Sequence, residues 1–185
     1  MIERKREQMS HINENMSKEE RLEWLMNEYG RTVTRLAFNY MKQKQLAEDV
    51  AQEVFIKCYE NLDGFRNESS YKTWVYRITV NLCKDKLKSW AYRNILVTEF
   101  FSKTKKTNST PESELLDSED RRLISEKILS LPVKYREIVI LYYYEELSYN
   151  EISDLLQLNM PTVKSRLHRA RHLLKNLLER SRDNE

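Results

Sequence analysis

The sequence predicts an all-α protein built as two small helical domains on a flexible linker. Three observations carry that prediction. Glycine and proline are scarce, at two and three residues in 185, and a sheet protein needs turn residues every ~8–12 positions. Apolar residues recur at helical spacing along most of the chain. One internal stretch, residues 102–117 (SKTKKTNSTPESELLD), breaks that pattern and is rich in Ser, Thr, Lys and Asn around Pro111, the composition of a flexible tether.

Taken in order, residues 1–17 are polar and without a clear period, which reads as an arm. From Lys18 the stripe Leu22, Leu25, Met26, Tyr29, Val33, Leu36, Ala37 and Tyr40 marks the core face of a helix. Leu46, Val50, Val54, Cys58 and Leu62 follow, each four residues apart, and mark a second. Asp63-Gly64 is a helix stop, at which Gly64 can take the left-handed conformation. A third helix starts near Ser70 and runs through Trp74, Ile78, Leu82 and Leu87. The first domain is therefore placed at residues 18–95 and the linker at 96–117.

The second domain, residues 118–180, begins with a helix lined by Leu123, Ile124, Ile128 and Leu131. Pro132 interrupts it, and Val133 to Glu145 reads as the next helix. Ser148-Tyr149-Asn150-Glu151 fits a capping box, in which hydroxyl and carboxylate satisfy N–H groups at a helix start. That helix carries Ile152, Leu155 and Leu156. After a short connection, Pro161 suits the first turn of a last helix, whose apolar face is Val163, Leu167, Ala170, Leu174 and Leu177.

Composition excludes several classes. The longest apolar run, Ile138 to Tyr144, is far short of the ~20 residues a membrane span needs, and residues 1–17 lack the apolar core of a secretory signal. With only Cys58 and Cys83, both in apolar surroundings, a cytosolic protein with buried thiols is expected. The only glycines, Gly30 and Gly64, build no phosphate loop, and no nucleophile–base pair is evident. No cofactor, metal or small-molecule substrate is expected. His168 and His172 stand four apart but bring no further ligands.

Charge is small in sum, at +3, and uneven in distribution. Residues 162–175 hold Lys164, Arg166, Arg169, Arg171 and Lys175 with no acid. A capped helix, a tight turn and a basic helix form the layout of a helix-turn-helix. Thr162, Ser165, Arg166, Arg169 and His172 lie off the apolar stripe, where they reach phosphates and base edges. From Glu48 to Asp63, by contrast, five acids face a single Lys57. Glu48, Asp49, Glu53 and Glu60 there lie off the apolar stripe, near Ile56. An acidic face edged with apolar residues repels DNA and suits a protein partner with basic side chains. Residues 72–93 turn basic again, with Lys72, Arg77, Lys84, Lys86, Lys88 and Arg93 against Asp85. Phe65, Tyr71, Trp74, Tyr76 and Trp90 are interleaved, a composition suited to single-stranded nucleic acid.

These segments carry a family resemblance. LPVKYREIVILYYYEELSYNEISDLLQLNMPTVKSRLHRAR (131–171) resembles region 4 of the extracytoplasmic-function sigma factors of bacterial RNA polymerase, and TVKSRLHRAR (162–171) is its most specific part. The family usually has Gly before that Thr, where this chain has Pro161. AEDVAQEVFIKCYENL (47–62) resembles the region 2 helix that grips core polymerase. FRNESSYKTWVYRITVNLCKDKLKS (65–89) resembles the segment that melts and reads the −10 element.

The resemblance implies a non-enzymatic promoter-reading subunit. It assigns −35 contacts to Thr162, Lys164, Ser165, Arg166, Arg169 and Arg171. It assigns −10 reading and melting to Phe65, Tyr71, Arg77, Asn81, Lys84 and Lys88, and core polymerase binding to Glu48, Asp49, Gln52, Glu53 and Ile56. The implied partners are core RNA polymerase, promoter DNA and an anti-sigma factor, often membrane-bound, in a stress or envelope response. Two rivals are a stand-alone helix-turn-helix regulator that binds a palindrome as a dimer and a metal-dependent nuclease built on Glu48 and Asp49.

Overall fold

The computed structural model describes residues 16–65, 69–98 and 119–182, with side chains described through Ser89 in the first domain. The arm up to residue 15 and linker residues 99–117 lie outside them, as do the side chains of Trp90 and Arg93. Among the described residues every regular element is helical. The chain divides into two compact units, Met1–Phe101 and Ser102–Glu185.

In the first unit, α1 spans Lys18–Met41, α2 Lys44–Asn61 and α3 Tyr71–Thr98. Ser17 caps α1. The Glu20 N–H donates to its hydroxyl at 3.1 Å, and the Ser17 N–H donates to the Glu20 carboxylate at 2.7 Å. Such a cap satisfies amides with no partner inside the helix. At the other end Lys42 turns left-handed (φ 58°), and its N–H reaches back to the Phe38 carbonyl. The three helices bury one stripe each. Leu25, Val33, Leu36 and Ala37 come from α1, Val50, Val54 and Cys58 from α2, and Val75, Val80 and Cys83 from α3.

Two expectations fail here. Met26 is half exposed at 48%, because the buried face of α1 is narrower than the apolar pattern. Gly64 is not left-handed. It lies in a 3₁₀ turn, Leu62–Gly64, that continues from α2, so the helix ends by tightening rather than by reversing its twist.

In the second unit, α4 spans Glu119–Ser130, α5 Val133–Val139, α6 Tyr149–Leu156 and α7 Met160–Arg182. The α4–α5 corner is held by Arg136, only 2% exposed. Its Nη1 donates to the carbonyls of Leu129 at 2.6 Å and Leu131 at 3.2 Å. Those carbonyls are left open by the end of α4, and a guanidinium is a fitting donor there. The core gathers Ile128, Leu131, Ile138, Leu141, Ile152, Leu155, Val163, Leu167 and Ala170. The capping box at Ser148 is present, with the Glu151 N–H on the Ser148 hydroxyl at 3.3 Å and the Ser148 N–H on the Glu151 carboxylate at 3.0 Å.

Two further expectations need correcting. Ile124 is 37% exposed and lies at the edge of its stripe. Val133 to Glu145 is not one regular helix, since α5 widens into a π-helical turn, Ile140–Tyr144. There the Glu145 N–H bonds the Ile140 carbonyl, and Glu146 turns left-handed at φ 54°.

Cys58 and Cys83 are wholly buried, and burial pushes both thiols, and the Tyr29 hydroxyl, up to about 12. In the unfolded chain thiols titrate near ~8.5 and tyrosines near ~10. Folding therefore holds protons that the unfolded chain releases, and stability falls as pH rises from about 9 through 12. Denaturant unfolding at stepped pH is expected to show that loss. At pH 8 a thiol reagent should label the native protein only at its opening rate.

Candidate nucleic-acid and polymerase interfaces

The start of α7 is built by Asn159, a residue of the short connection that precedes the helix. The Thr162 N–H donates to the Asn159 side-chain carbonyl at 2.8 Å, making Asn159 the cap of the helix. Pro161 is the second helical residue, where no backbone N–H bond is owed. Proline in place of the family's glycine therefore leaves the helix start intact.

Val163, Leu167 and Ala170 lock α7 into its unit, so the opposite face is left outside. Lys164, Ser165, His168, Arg169, Arg171 and His172 are exposed, and Thr162 and Arg166 are half-buried. The expected DNA-contact set divides accordingly. Lys164, Ser165 and Arg169 stand in solvent, Lys164 passing 5.9 Å above the Tyr149 ring. Arg171 Nε donates to the Tyr143 hydroxyl at 2.7 Å, and its guanidinium lies over the Tyr142 and Tyr143 rings at 5.7 and 5.6 Å. Arg166 Nη1 is 3.5 Å from the carboxylate of Glu137, whose side chain is 3% exposed. The π-helical turn brings Tyr142 and Tyr143, adjacent in sequence, to the same guanidinium. Neither the tyrosine cradle nor the Glu137 pair was evident from spacing.

In the first unit, the outer edge of α2 presents Asp49, Gln52 and Ile56 to solvent, Ile56 at 58% exposure. Gln45 donates to Asp49 at 3.5 Å. Glu48 and Glu53 are half-buried. Glu53 is bound to Lys86 of α3 at 2.6 Å, which joins the two helices and spends part of the acidic charge. The end of α2 carries a cluster the sequence did not announce. Lys18 and Arg21 hold Asp63 at 2.8 and 2.9 Å, which keeps its carboxyl below the ordinary range. The Tyr59 hydroxyl donates to Glu19 at 2.7 Å.

On α3 the residues Arg77, Asn81, Lys84 and Lys88 are spaced three and four apart, so they share one helix face. Asn81 and Lys88 are exposed, Arg77 and Lys84 half-buried, and Lys88 pairs with Asp85 at 3.6 Å. At the start of the helix Phe65, Tyr71 and Trp74 form a half-buried aromatic cluster, with ring centroids 4.4 Å apart for Phe65–Tyr71 and 5.0 Å for Phe65–Trp74. Trp24 of α1 adds an edge contact to Tyr71 at 6.1 Å. Such edge and tilted packings are the favoured aromatic geometries.

Comparison with known proteins bears on both units. The Sigma-70 region 2 family matches residues 25–93, and the Sigma-70 region 4 family matches residues 121–174. The ECF RNA polymerase sigma factor SigW of Bacillus subtilis is 34% identical over 158 residues, covering 81% of this chain and 84% of that protein. The chain belongs to the extracytoplasmic-function sigma factors. The sigma-E factor of Escherichia coli K12 is likewise 34% identical, over 163 residues, 84% of this chain and 85% of its own.

The sigma factor RpoE of Bartonella quintana, solved with the anti-sigma factor NepR, shares the fold at a TM-score of 0.69. It is 21% identical over 85% of this chain and 96% of its own. CnrH, solved with the cytosolic domain of CnrY, matches at 0.60, with 21% identity over 85% of this chain and 87% of its own. As a sigma factor the protein directs transcription by RNA polymerase. Its region 2 match takes in the α2 edge and the basic face of α3. Its region 4 match takes in α5, α6 and the basic part of α7. No helix among the described residues is long and apolar enough to cross a membrane.

The Asn159 cap gives a direct check. Asn159→Ala should lower the unfolding free energy by about 1 kcal/mol, and Asn159→Gly by only a few tenths, measured by denaturant titration.

Proposed function

We propose that this sigma factor holds core RNA polymerase through the outer edge of α2 and reads two promoter elements with α3 and α7. On α2 the contacts are Glu48, Asp49, Gln52, Glu53 and Ile56. An exposed isoleucine among carboxylates fits a basic protein surface better than a polyanion. On α3, Arg77, Asn81, Lys84 and Lys88 follow the displaced strand of the −10 element. The aromatic cluster of Phe65, Tyr71 and Trp74 lies beside the strand's extruded bases, which repays part of the unstacking cost. On α7, Thr162, Lys164, Ser165 and Arg169 meet the −35 element.

The observation that carries this reading is the exposed strip of α7. It is basic, without an acid from Thr162 to Lys175, and it backs directly onto the Val163–Leu167–Ala170 core stripe. Because the two units are joined in one chain, each bound unit raises the effective concentration of the other at its element. The work is binding, with no catalytic step, and takes place in the cytoplasm. The solved relatives that pair a sigma factor with an anti-sigma factor support an inhibitory partner of that kind here, in a stress or envelope response.

Run-off transcription with purified core polymerase on a pool of bacterial promoters tests this. The protein should elicit new, promoter-specific transcripts. Arg169→Gln should reduce them roughly tenfold, the scale of one good base contact. Asp49→Lys, which sets a cation against a basic partner, should reduce output on all promoters alike. Folded protein that neither binds core polymerase nor yields transcripts would contradict the proposal.

A further inference from the structure

Resting on the reading of α7 as the helix that meets the −35 element, we infer that Arg166 is a positioning residue anchored by buried Glu137. On this inference Ser165 and Arg169 do the base reading. Glu137 lies on α5 in an unbroken buried run with Arg136, Ile138 and Val139. Burying a carboxylate is costly unless a cation and hydrogen bonds accompany it. Arg166 supplies a cation from another helix, at 3.5 Å and with its own side chain only 28% exposed.

The position of Arg166 on α7 explains why. It follows Val163 by three residues and precedes Ala170 by four, and both of those are wholly buried. Arg166 therefore flanks the core stripe. Ser165, Arg169 and His172 share a different strip, and all three are exposed. For Arg166 to swing out to a base edge, it would have to give up its ion pair with a buried carboxylate. That penalty works against the contact it would gain. With the core stripe of α7 already packed, the Glu137–Arg166 pair adds a directional tie from α5 one residue from Ser165, which refines where Ser165 and Arg169 fall along the groove. On the sequence alone Arg166 has the pattern of a reader, a basic residue off the apolar stripe. Its partner Glu137 lies on another helix, a pairing that spacing along the chain does not contain.

Glu137 makes the inference testable, since its buried side chain offers nothing to DNA directly. The experiment is run-off transcription by the full chain with core polymerase on a promoter library randomised across the upstream element. Transcripts are sequenced to give the base preference at each position, and the thermal midpoint of every variant is recorded. Glu137→Gln should flatten the preference at several adjacent positions, roughly tenfold where a good contact stood. Arg166→Gln should give the same profile, and the double variant should be no worse than either single change.

Arg166→Lys, which keeps the charge, should restore most of the wild-type profile, and Arg169→Gln should erase preference at one position only. Loss of a single base preference in Arg166→Gln, with Glu137→Gln unchanged, would overturn the inference and make Arg166 a reader. Reduced output with an unaltered profile in both variants, in proportion to lost folded protein, would also overturn it. A wild-type protein with no upstream base preference would instead overturn the underlying reading of α7, and this inference with it.

Discussion

The constraint on which the rest depends is that each amphipathic helix has one face to bury. Once that face is packed, the side left outside is determined. Val163, Leu167 and Ala170 are buried, so the basic strip of α7 cannot be anywhere but outward. Val50, Val54 and Cys58 are buried, so Asp49, Gln52 and Ile56 form an edge. Non-directional apolar burial thus does directional work, because a helix fixes the angle between its core stripe and every other residue.

Charge follows the same division. The acidic edge of α2 and the basic faces of α3 and α7 coexist in a chain of net charge +3 because each occupies its own helix surface. Two ion pairs between opposite charges tie elements together. Glu53 with Lys86 joins α2 to α3, and Glu137 with Arg166 joins α5 to α7. The first pair is solvent-accessible and worth little by itself. The second is sheltered on its acidic side, and breaking it would take a cation away from a buried carboxylate.

Much of this was legible in the sequence. The four-residue spacing of Val50, Val54, Cys58 and Leu62 gives α2 its buried stripe, and Ser148 with Glu151 marks the start of α6. The exposed part of the α7 strip follows from its helical wheel. A second capping box, Ser17 with Glu20, carries the same signature but stands beside a polar arm that masks it. Other features depend on contacts between helices, which one-dimensional periodicity does not contain. Trp24 meets Tyr71 across two helices, and Arg171 meets the tyrosines of the π-helical turn. A run of apolar and aromatic residues from Ile138 to Tyr144 looks equally helical whether its last turn is α or π. Gly64 misled for a related reason: a glycine at a helix end suggests left-handed geometry, and here the chain tightens into a 3₁₀ turn instead.

The most direct test of the central claim is footprinting of a promoter by this protein with core polymerase, combined with permanganate probing for unpaired thymines. Polymerase carrying the protein should protect an upstream and a downstream element together. Permanganate reactivity should appear only downstream, and the protein alone should leave the duplex unmarked. A symmetric footprint over a palindrome by the protein alone, with no unpaired thymines, would contradict the account and point to a stand-alone dimeric regulator.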